Sequence, residues 1–316
     1  MTQLDRLTLG RMAKELGFVR DTLEKVCRLV DVLKFMELDE LLSEAIALKG
    51  GTAINLTIFD LPRLSVDIDL DYCRSIDREK MLADRDVITD KISKYMNASG
   101  YTLSPKSKNY HALDSFVYEY VNCGGVKDNI KIEINYMLRC HVLSVERREV
   151  KLPWEEKLTV LSVAPLEIFA SKTVALLTRT APRDLYDMYN MVKYGLFDES
   201  EEVMLRKCAV FYSAIGAECP PEKFALDNVG SVSKQQIKRD LDPVLRKGEK
   251  FDLEMAQKKV CEYLASVLIP TEEEELFWKA FGEGKYCPEQ IFGDAAECTN
   301  VVKHPMALWK CRDKSE

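Results

Sequence analysis

Hydrophobic and polar positions alternate along two segments of this chain, and elsewhere they mostly follow the spacing of amphipathic helices. In residues 65–72, three aspartates occupy every second position, and in residues 129–136 isoleucines alternate with polar side chains. Because successive side chains of a strand point to opposite faces, both segments are predicted to be strands with one polar face. The polar positions are Asp67, Asp69 and Asp71 in the first strand and Lys131, Glu133 and Asn135 in the second.

Apolar spacing predicts the remaining elements. Residues 1–48 are predicted to be mainly helical, although the apolar run at 45–48 fits a helix end or a buried strand. A short helix is predicted at 52–59, with Thr52 near its cap. Most segments from Pro165 onward are predicted to be helical, including one that ends at Gly195. The other predicted elements are strands at 115–122 and 158–163 and helices at 77–99, 253–268 and 271–281.

This order of elements predicts an α+β protein with two domains. Residues 1–160 are expected to form a small mixed sheet with flanking helices, including the N-terminal ones. Residues 161–316 are expected to form a mainly helical C-terminal domain. The length of 316 residues is compatible with two domains or one large one.

Composition narrows the class of protein. The chain is 47% hydrophobic and 31% charged, and its net charge is −7, which argues against a surface covered with positive charge for long stretches of nucleic acid. A local basic groove remains compatible with this balance. No apolar run is long enough for a membrane span, no signal peptide is evident, and the ten cysteines lack a C-x-x-C pair. We therefore expect a cytoplasmic protein with reduced thiols and no membrane partner.

Candidate chemistry centres on the glycine pair that precedes the acidic strand. Gly50 and Gly51 can present free backbone N–H groups to an anion. Three carboxylates on one strand face repel each other unless water or a divalent cation neutralises them. This layout is typical of enzymes that handle nucleoside triphosphates, although an exposed edge strand can also be acidic for solubility.

The combination of glycine turn, short helix, acidic strand and a later strand carboxylate resembles the DNA polymerase β-like nucleotidyltransferases. The resemblance implies that fold for the core, with Gly50 and Gly51 in the turn. It also implies Mg²⁺ or Mn²⁺ as cofactor, held by Asp67, Asp69 and, as a third ligand, Glu133.

Two longer patterns narrow the resemblance. One is Lys-Gly-Gly-Thr-Ala followed by Arg-x-Ser-x-Asp-x-Asp-x-Asp, from Lys49 to Asp71. The other is a lysine and an arginine followed by Arg-Asp-x-x-Asp at 183–187. Together they resemble the AbiEii/AbiGii toxin family of nucleotidyltransferases, which includes the MenT toxins. The resemblance covers about residues 40–195, and on spacing alone the second pattern also fits a solvated charged face with ordinary ion pairs.

The family resemblance implies roles for individual residues. Its required positions correspond to Ser65, Asp67, Lys172 and either Asp184 or Asp187. The C-terminal domain is therefore expected to contribute Lys172 and the 183–187 segment to the active site. The full predicted set is Asp67, Asp69, Lys172, Asp184 and Asp187 as catalytic residues and Gly50, Gly51, Thr52, Ser65, Lys172 and Arg179 as nucleotide-binding residues.

The resemblance also implies a function. We expect a toxin of a type IV toxin–antitoxin or phage-defence system that transfers a nucleotide from an NTP to RNA, at the tRNA 3′ end, and so blocks translation. A cognate antitoxin is an expected partner. Transfer to a protein, or NTP binding without catalysis, are the alternatives. Basic and aromatic residues that could bind RNA, or equally form solvated faces, are Lys91, Lys94, Tyr95, Lys106, Lys108, Tyr110, Arg139, Arg147, Arg148, Lys151, Lys234, Lys238, Arg239, Arg246 and Lys247.

Overall fold

A computed structural model describes residues 5–154, 157–293 and 299–312. The chain divides into two units. The first comprises residues 1–139, 145–163 and 242–249, and the second comprises residues 140–144, 164–241 and 250–316. Each unit is therefore assembled from segments that are separate in the sequence.

The first unit contains the sheet. Its helices are α1 (Arg6–Leu16), α2 (Arg20–Leu38), α3 (Glu40–Ala45), α4 (Gly50–Ala53, continued by a π-helical turn at Ile54–Ile58) and α5 (Arg78–Ala98). Its strands are β1 (Ile46–Leu48), β2 (Asp67–Tyr72), β3 (Thr102–Leu103), β4 (Lys108–Asn109), β5 (Leu113–Val121), β6 (Lys127–Asn135), β7 (Glu146–Glu149) and β8 (Thr159–Ser162).

In the described residues, these eight strands form one mixed sheet in the order β3-β5-β6-β2-β1-β8-β7, and β4 pairs with β5. Strands β2 and β6 are parallel neighbours near its centre. Their apolar face is buried, because Ile68, Ile132 and Ile134 have no exposed surface. The opposite face carries the aspartates of β2 and the polar residues of β6, which are mostly half-buried.

Helix α5 covers the apolar face of the sheet. The Tyr72 hydroxyl donates a hydrogen bond of 2.7 Å to Asp84, and the Arg85 Nε donates one of 3.0 Å to the fully buried Asp114 of β5. Both contacts reach α5 from the face opposite the β2 aspartates. The carboxylate face of the sheet is therefore not the one that this helix covers.

The second unit is helical in its described residues. Its main helices are α6 (Pro165–Arg179), α7 (Pro182–Lys193), α8 (Glu199–Gly216), α10 (Leu253–Val267) and α11 (Glu272–Gly282). Shorter ones are α9 (Lys234–Gln236, continued by a π-helical turn at Ile237–Leu241), α12 (Glu289–Phe292), α13 (Thr299–Val302) and α14 (Pro305–Arg312). A proline occupies the first turn of α6 and of α7, where its fixed φ suits the helix start.

The predicted α+β class is confirmed, with two local adjustments. The run at 45–48, left open between helix and strand, forms β1 between β2 and β8. The short helix predicted at 52–59, with Thr52 near its start, is present but begins two residues earlier than predicted. The helix begins at Gly50, whose φ of +64° is a conformation that glycine adopts without a steric penalty.

Two further sequence expectations concern thiols and membranes. In the described residues, nine cysteines are free of disulfides; Cys298 lies outside those residues. None of the described helices combines the length and the apolar character that crossing a bilayer requires.

Candidate active site

The sheet brings the predicted acidic residues of β2 and β6 together. Asp69 lies directly opposite Glu133, and Asp67 lies directly opposite Lys131. Neighbouring strands are about 4.8 Å apart, and paired residues point to the same face. Carboxylates that are more than sixty positions apart in sequence are therefore immediate neighbours in the fold, in agreement with what the resemblance to the polymerase β-like enzymes implied.

Lys131 is a cation within this group of carboxylates. Its Nζ lies 2.9 Å from Glu133 Oε2. Burial disfavours its charged form, but the hydrogen bond to Glu133 and the attraction of the neighbouring aspartates outweigh burial and raise the pKa of Lys131. The lysine thus offsets part of the repulsion within the group.

The chemistry of the three carboxylates suits a hard divalent cation, which prefers oxygen ligands. In the described part of the chain, however, no three acidic, histidine or cysteine side chains are already gathered around one point as a metal centre would require. Glu133 is turned toward Lys131. The ligand set of Asp67, Asp69 and Glu133 therefore stays a prediction, supported by register and donor type.

The third aspartate of β2 has a different environment. Asp71 is buried and forms an ion pair with Lys49 Nζ. The Lys49 backbone N–H also donates a hydrogen bond of 2.9 Å to the carbonyl oxygen of Asp69. Lys49 therefore ties the start of the glycine turn to β2 through both its backbone and its side chain.

The glycine turn lies against the carboxylate of Asp69. A β-carbon added to Gly50 would lie 2.8 Å from Asp69 Oδ2 and 3.4 Å from Asp69 Cβ. The φ of +64° at Gly50 is also disfavoured for other residues. Both the conformation and the close approach therefore require glycine here, and the predicted anion-binding turn lies beside Asp69, one of the predicted metal ligands.

Gly51 packs on two side chains of the loop before β2. A β-carbon at Gly51 would lie 2.8 Å from Arg63 Nη2 and 3.2 Å from Ser65 Oγ. Thr52 is fully buried, and its hydroxyl lies 2.9 Å from Ser65 Oγ and also contacts the carbonyl oxygen of Asp67. Ser65 is thus held by Thr52 at the edge of the turn.

Sequence reasoning assigned no role to Arg63 and Asn55, which shape this loop. Arg63 is 1% exposed, and its Nη1 donates a hydrogen bond of 3.0 Å to the carbonyl of Leu64. Asn55 is fully buried; its amide donates to the Gly51 carbonyl at 2.7 Å, and its oxygen accepts from the Arg63 backbone N–H at 3.3 Å. The signals were an asparagine inside a short, largely apolar helix and the arginine of the Arg-x-Ser pattern.

In the second unit, the buried residues Lys172, Asp184 and Asp187 form one cluster with Arg179, whose side chain is 64% exposed. Lys172 Nζ lies 3.0 Å from Asp184 Oδ1 and 3.1 Å from Asp187 Oδ2. Arg179 Nε lies 2.7 Å from Asp184 Oδ2. Burial alone would raise the pKa of Asp184, but Lys172 and Arg179 outweigh it and lower that pKa. The residues predicted from the Arg-Asp-x-x-Asp pattern are therefore brought together by ion pairs.

Glu167 is not among the residues that form ion pairs with Lys172 or Arg179 in the described part of the chain. Its buried carboxylate instead receives hydrogen bonds from the backbone N–H groups of Val142 and Leu143, at 3.0 and 2.9 Å. It also contacts His141 Nδ1 at 3.2 Å and the Tyr212 hydroxyl. These partners outweigh the effect of burial and lower the pKa of Glu167.

The geometry of these residues can be set beside known proteins. A family model described as "Nucleotidyl transferase AbiEii toxin, Type IV TA system" matches residues 35–266, which include every predicted site residue. The chain belongs to the AbiEii nucleotidyltransferase toxin family. The predicted family and enzyme class are thereby confirmed.

A solved structure agrees with this AbiEii assignment at the level of fold. MenT4, a nucleotidyltransferase toxin from Mycobacterium tuberculosis, superposes with a TM-score of 0.64 at 16% sequence identity. The match covers 96% of this chain and 99% of the MenT4 chain. The predicted nucleotidyltransferase fold is therefore confirmed. No curated protein matches the chain.

Proposed function

We propose that this AbiEii-family enzyme transfers a nucleotide from an NTP to the 3′ end of tRNA and thereby blocks translation, as the toxin of a type IV toxin–antitoxin or phage-defence system. The observation that carries the proposal is the register of β2 and β6 beside the glycine turn. It sets Asp69 opposite Glu133, and a β-carbon added to Gly50 would lie 2.8 Å from the Asp69 carboxylate. A site for a metal–triphosphate complex needs this pairing of carboxylates with an anion-binding turn.

The first unit supplies the proposed nucleotide site. Asp67, Asp69 and Glu133 would hold Mg²⁺ or Mn²⁺, which supplies positive charge against the triphosphate and acidifies a nearby hydroxyl. Ser65 and the backbone N–H groups of the glycine turn would bind the phosphates. Thr52 is fully buried with its hydroxyl on Ser65, so we propose that it orients Ser65 rather than binding phosphate itself.

The second unit supplies the residues proposed from the family pattern. Lys172 and one of Asp184 and Asp187 would be required for transfer. The ion pairs support a shared role, because one ammonium lies within 3.1 Å of both aspartates. Arg179, which also binds Asp184, would add positive charge for the nucleotide. Nucleotide transfer proceeds by in-line attack of the acceptor hydroxyl on the α-phosphate, with pyrophosphate as leaving group.

The test is transfer in vitro with each of the four labelled NTPs, Mg²⁺ or Mn²⁺, and total tRNA. We expect label in tRNA, at 3′ ends that sequencing can identify. Asp67→Asn should abolish labelling and any growth toxicity while leaving thermal unfolding nearly unchanged, because Asp67 is half-exposed. Asp86→Asn is the matched control, since Asp86 is an exposed aspartate on α5.

Three outcomes would contradict the proposal or its site. Label that migrates with protein would favour transfer to a polypeptide such as an antitoxin. NTP binding that needs no metal and leads to no transfer would favour a non-catalytic binding role. Full activity of the Asp67→Asn protein would refute the proposed site itself.

A further inference from the structure

One row of paired residues connects the carboxylates to the edge of the sheet. Asp69 of β2 pairs with Glu133 of β6, Glu133 pairs with Ser115 of β5, and Ser115 pairs with Lys108 of β4. Directly paired residues point to the same face of a sheet. Lys108 therefore lies on the carboxylate face, three strand spacings or about 14 Å from Asp69.

The segment around Lys108 is basic, aromatic and exposed. Lys106 and Lys108 are exposed, and Tyr110 is 50% exposed. Among the described residues, neither lysine has an acidic side chain in ion-pair contact. We call Lys106, Lys108 and Tyr110 the β4 patch.

Most other basic candidates for RNA binding are already engaged. Ion pairs join Lys91 to Asp39, Lys94 to Asp90, Arg147 to Glu37, Arg148 to Glu146, Lys234 to Glu254 and Arg239 to Asp240. Tyr95 is stacked on Phe35 with their rings parallel. In a chain with a net charge of −7, uncompensated lysines beside an exposed ring are a local feature that suits a polyanion.

The β4 patch is held in place rather than extended on a free loop. Arg85 donates hydrogen bonds of 2.8 Å to the carbonyl oxygens of both Tyr110 and His111. The Tyr110 backbone N–H donates to the Leu113 carbonyl at 2.8 Å, which closes the β4–β5 hairpin. The patch is therefore fixed relative to β5 and β6, and so relative to the carboxylates.

We propose that the β4 patch binds the single-stranded 3′ end of the RNA acceptor. Lys106 and Lys108 bind successive phosphates, and a base stacks on the ring of Tyr110. The distance from Lys108 to the carboxylates can be spanned by a few nucleotides, so an RNA held here presents its terminal hydroxyl to the nucleotide site. This inference rests on the proposed function and adds to it the surface that binds the acceptor.

Direct binding tests the proposal without requiring transfer. A fluorescent tRNA whose 3′ hydroxyl has been removed is titrated into the enzyme, and fluorescence anisotropy is measured over a range of salt concentrations. For Lys106→Gln/Lys108→Gln we expect weaker binding. We also expect the slope of log K against log salt concentration to be shallower by up to about 1.4, because each phosphate contact on a single strand contributes about 0.7 to this slope.

The aromatic contact is tested separately. Tyr110→Ala should weaken binding roughly tenfold or more, since base stacking on an aromatic side chain is lost. Tyr110→Phe should bind as the wild type does, because the ring is retained. A Phe variant as weak as the Ala variant would contradict stacking.

The matched control is Lys14→Gln/Lys80→Gln, which removes the same charge from exposed lysines on α1 and α5. It should leave binding and its salt dependence nearly unchanged. Equal effects of the two double variants, or no effect of either, would overturn the proposal. So would a loss of NTP and Mn²⁺ binding in calorimetry by the patch variant, because the patch would then belong to the nucleotide.

Failure of the proposed function gives a different pattern. If the wild type binds the blocked tRNA through the β4 patch but labels no RNA, the acceptor surface stands and the transfer proposal fails. If the wild type labels tRNA and the patch variant labels it with an unchanged KM for tRNA, transfer stands and the surface fails.

Discussion

Replacing Gly50 by alanine tests the contact on which the nucleotide site depends. The new β-carbon would lie 2.8 Å from Asp69 Oδ2, closer than such atoms approach, and 3.4 Å from Asp69 Cβ. Because Asp69 Cβ is fixed to β2, the carboxylate must rotate away from the turn. Gly50→Ala should therefore displace one proposed metal ligand without removing any ionisable group.

The expected magnitude has two parts. A left-handed φ costs a residue with a β-carbon about 1–2 kcal/mol. Forcing the Asp69 side chain off its preferred rotamer costs about 1 kcal/mol more. A catalytic group displaced by about 1 Å can lower the rate about 100-fold. Gly50→Ala should thus lower the free energy of unfolding by about 2–3 kcal/mol. The loss of nucleotide transfer should be far larger than the fraction of unfolded molecules alone would cause.

Gly125 offers a matched control. Its φ of +79° is also left-handed, but a β-carbon there would meet nothing within 4 Å. Gly125→Ala should share the conformational penalty and keep its activity. Urea unfolding measures the stability of both variants, and labelled-NTP transfer measures their kcat/KM. If Gly50→Ala transfers nucleotide within a few-fold of Gly125→Ala, the turn does not position Asp69 for catalysis.

Three other substitutions probe the remaining buried charges. Lys172→Met leaves Asp184 and Asp187 without their shared ammonium, so the free energy of unfolding measured with urea should fall by about 3–5 kcal/mol. A decrease below about 1 kcal/mol would mean that water readily hydrates the two aspartates. The pKa of Glu167 is lower in the folded protein than its value of about 4.5 in the unfolded chain, so ionised Glu167 stabilises the fold. This stabilisation is complete above the unfolded pKa and is lost as the pH falls through the folded pKa. Acid unfolding of Glu167→Gln should therefore depend less on pH than that of the wild type, and an identical dependence would contradict this. Arg63→Lys keeps the positive charge but loses the planar set of N–H donors of the guanidinium. We expect slower nucleotide transfer and, without NTP, a free energy of unfolding that is lower by about 1–3 kcal/mol. Unchanged transfer kinetics would exclude a positioning role for Arg63.

The strands of the site could be predicted from the sequence because a period of two is a local signal. The alternation of Asp67, Ile68 and Asp69 fixed which side chains share a face, and burial in the structure agrees. The pairing of Asp69 with Glu133 is not local: a shift of β6 by one residue would have placed Ile132 or Ile134 beside Asp69. Only the family resemblance suggested that Glu133 belongs with the aspartates.

The loop before β2 could not be predicted in the same way. Arg63 and Asn55 are buried because they bond to backbone groups of the glycine turn and of the loop itself, and such partners leave no periodic pattern. Thr52 was expected near a helix cap from its place after two glycines, yet its hydroxyl contacts the loop and β2. Side chains that satisfy backbone groups across a turn are determined by the tertiary fold.

The contacts of Lys49 explain why this lysine and Asp71 belong to one motif. Lys49 follows β1, and its backbone N–H bonds to the Asp69 carbonyl while its ammonium pairs with Asp71. An unpaired Asp71, which is buried, would add a third like charge to the same strand face. By neutralising Asp71, Lys49 leaves the repulsion on this strand face to Asp67 and Asp69, where a bound cation would offset it. The motif from Lys49 to Asp71 is therefore one structural unit, in which the ion pair between its first and last residues fixes the glycine turn against β2.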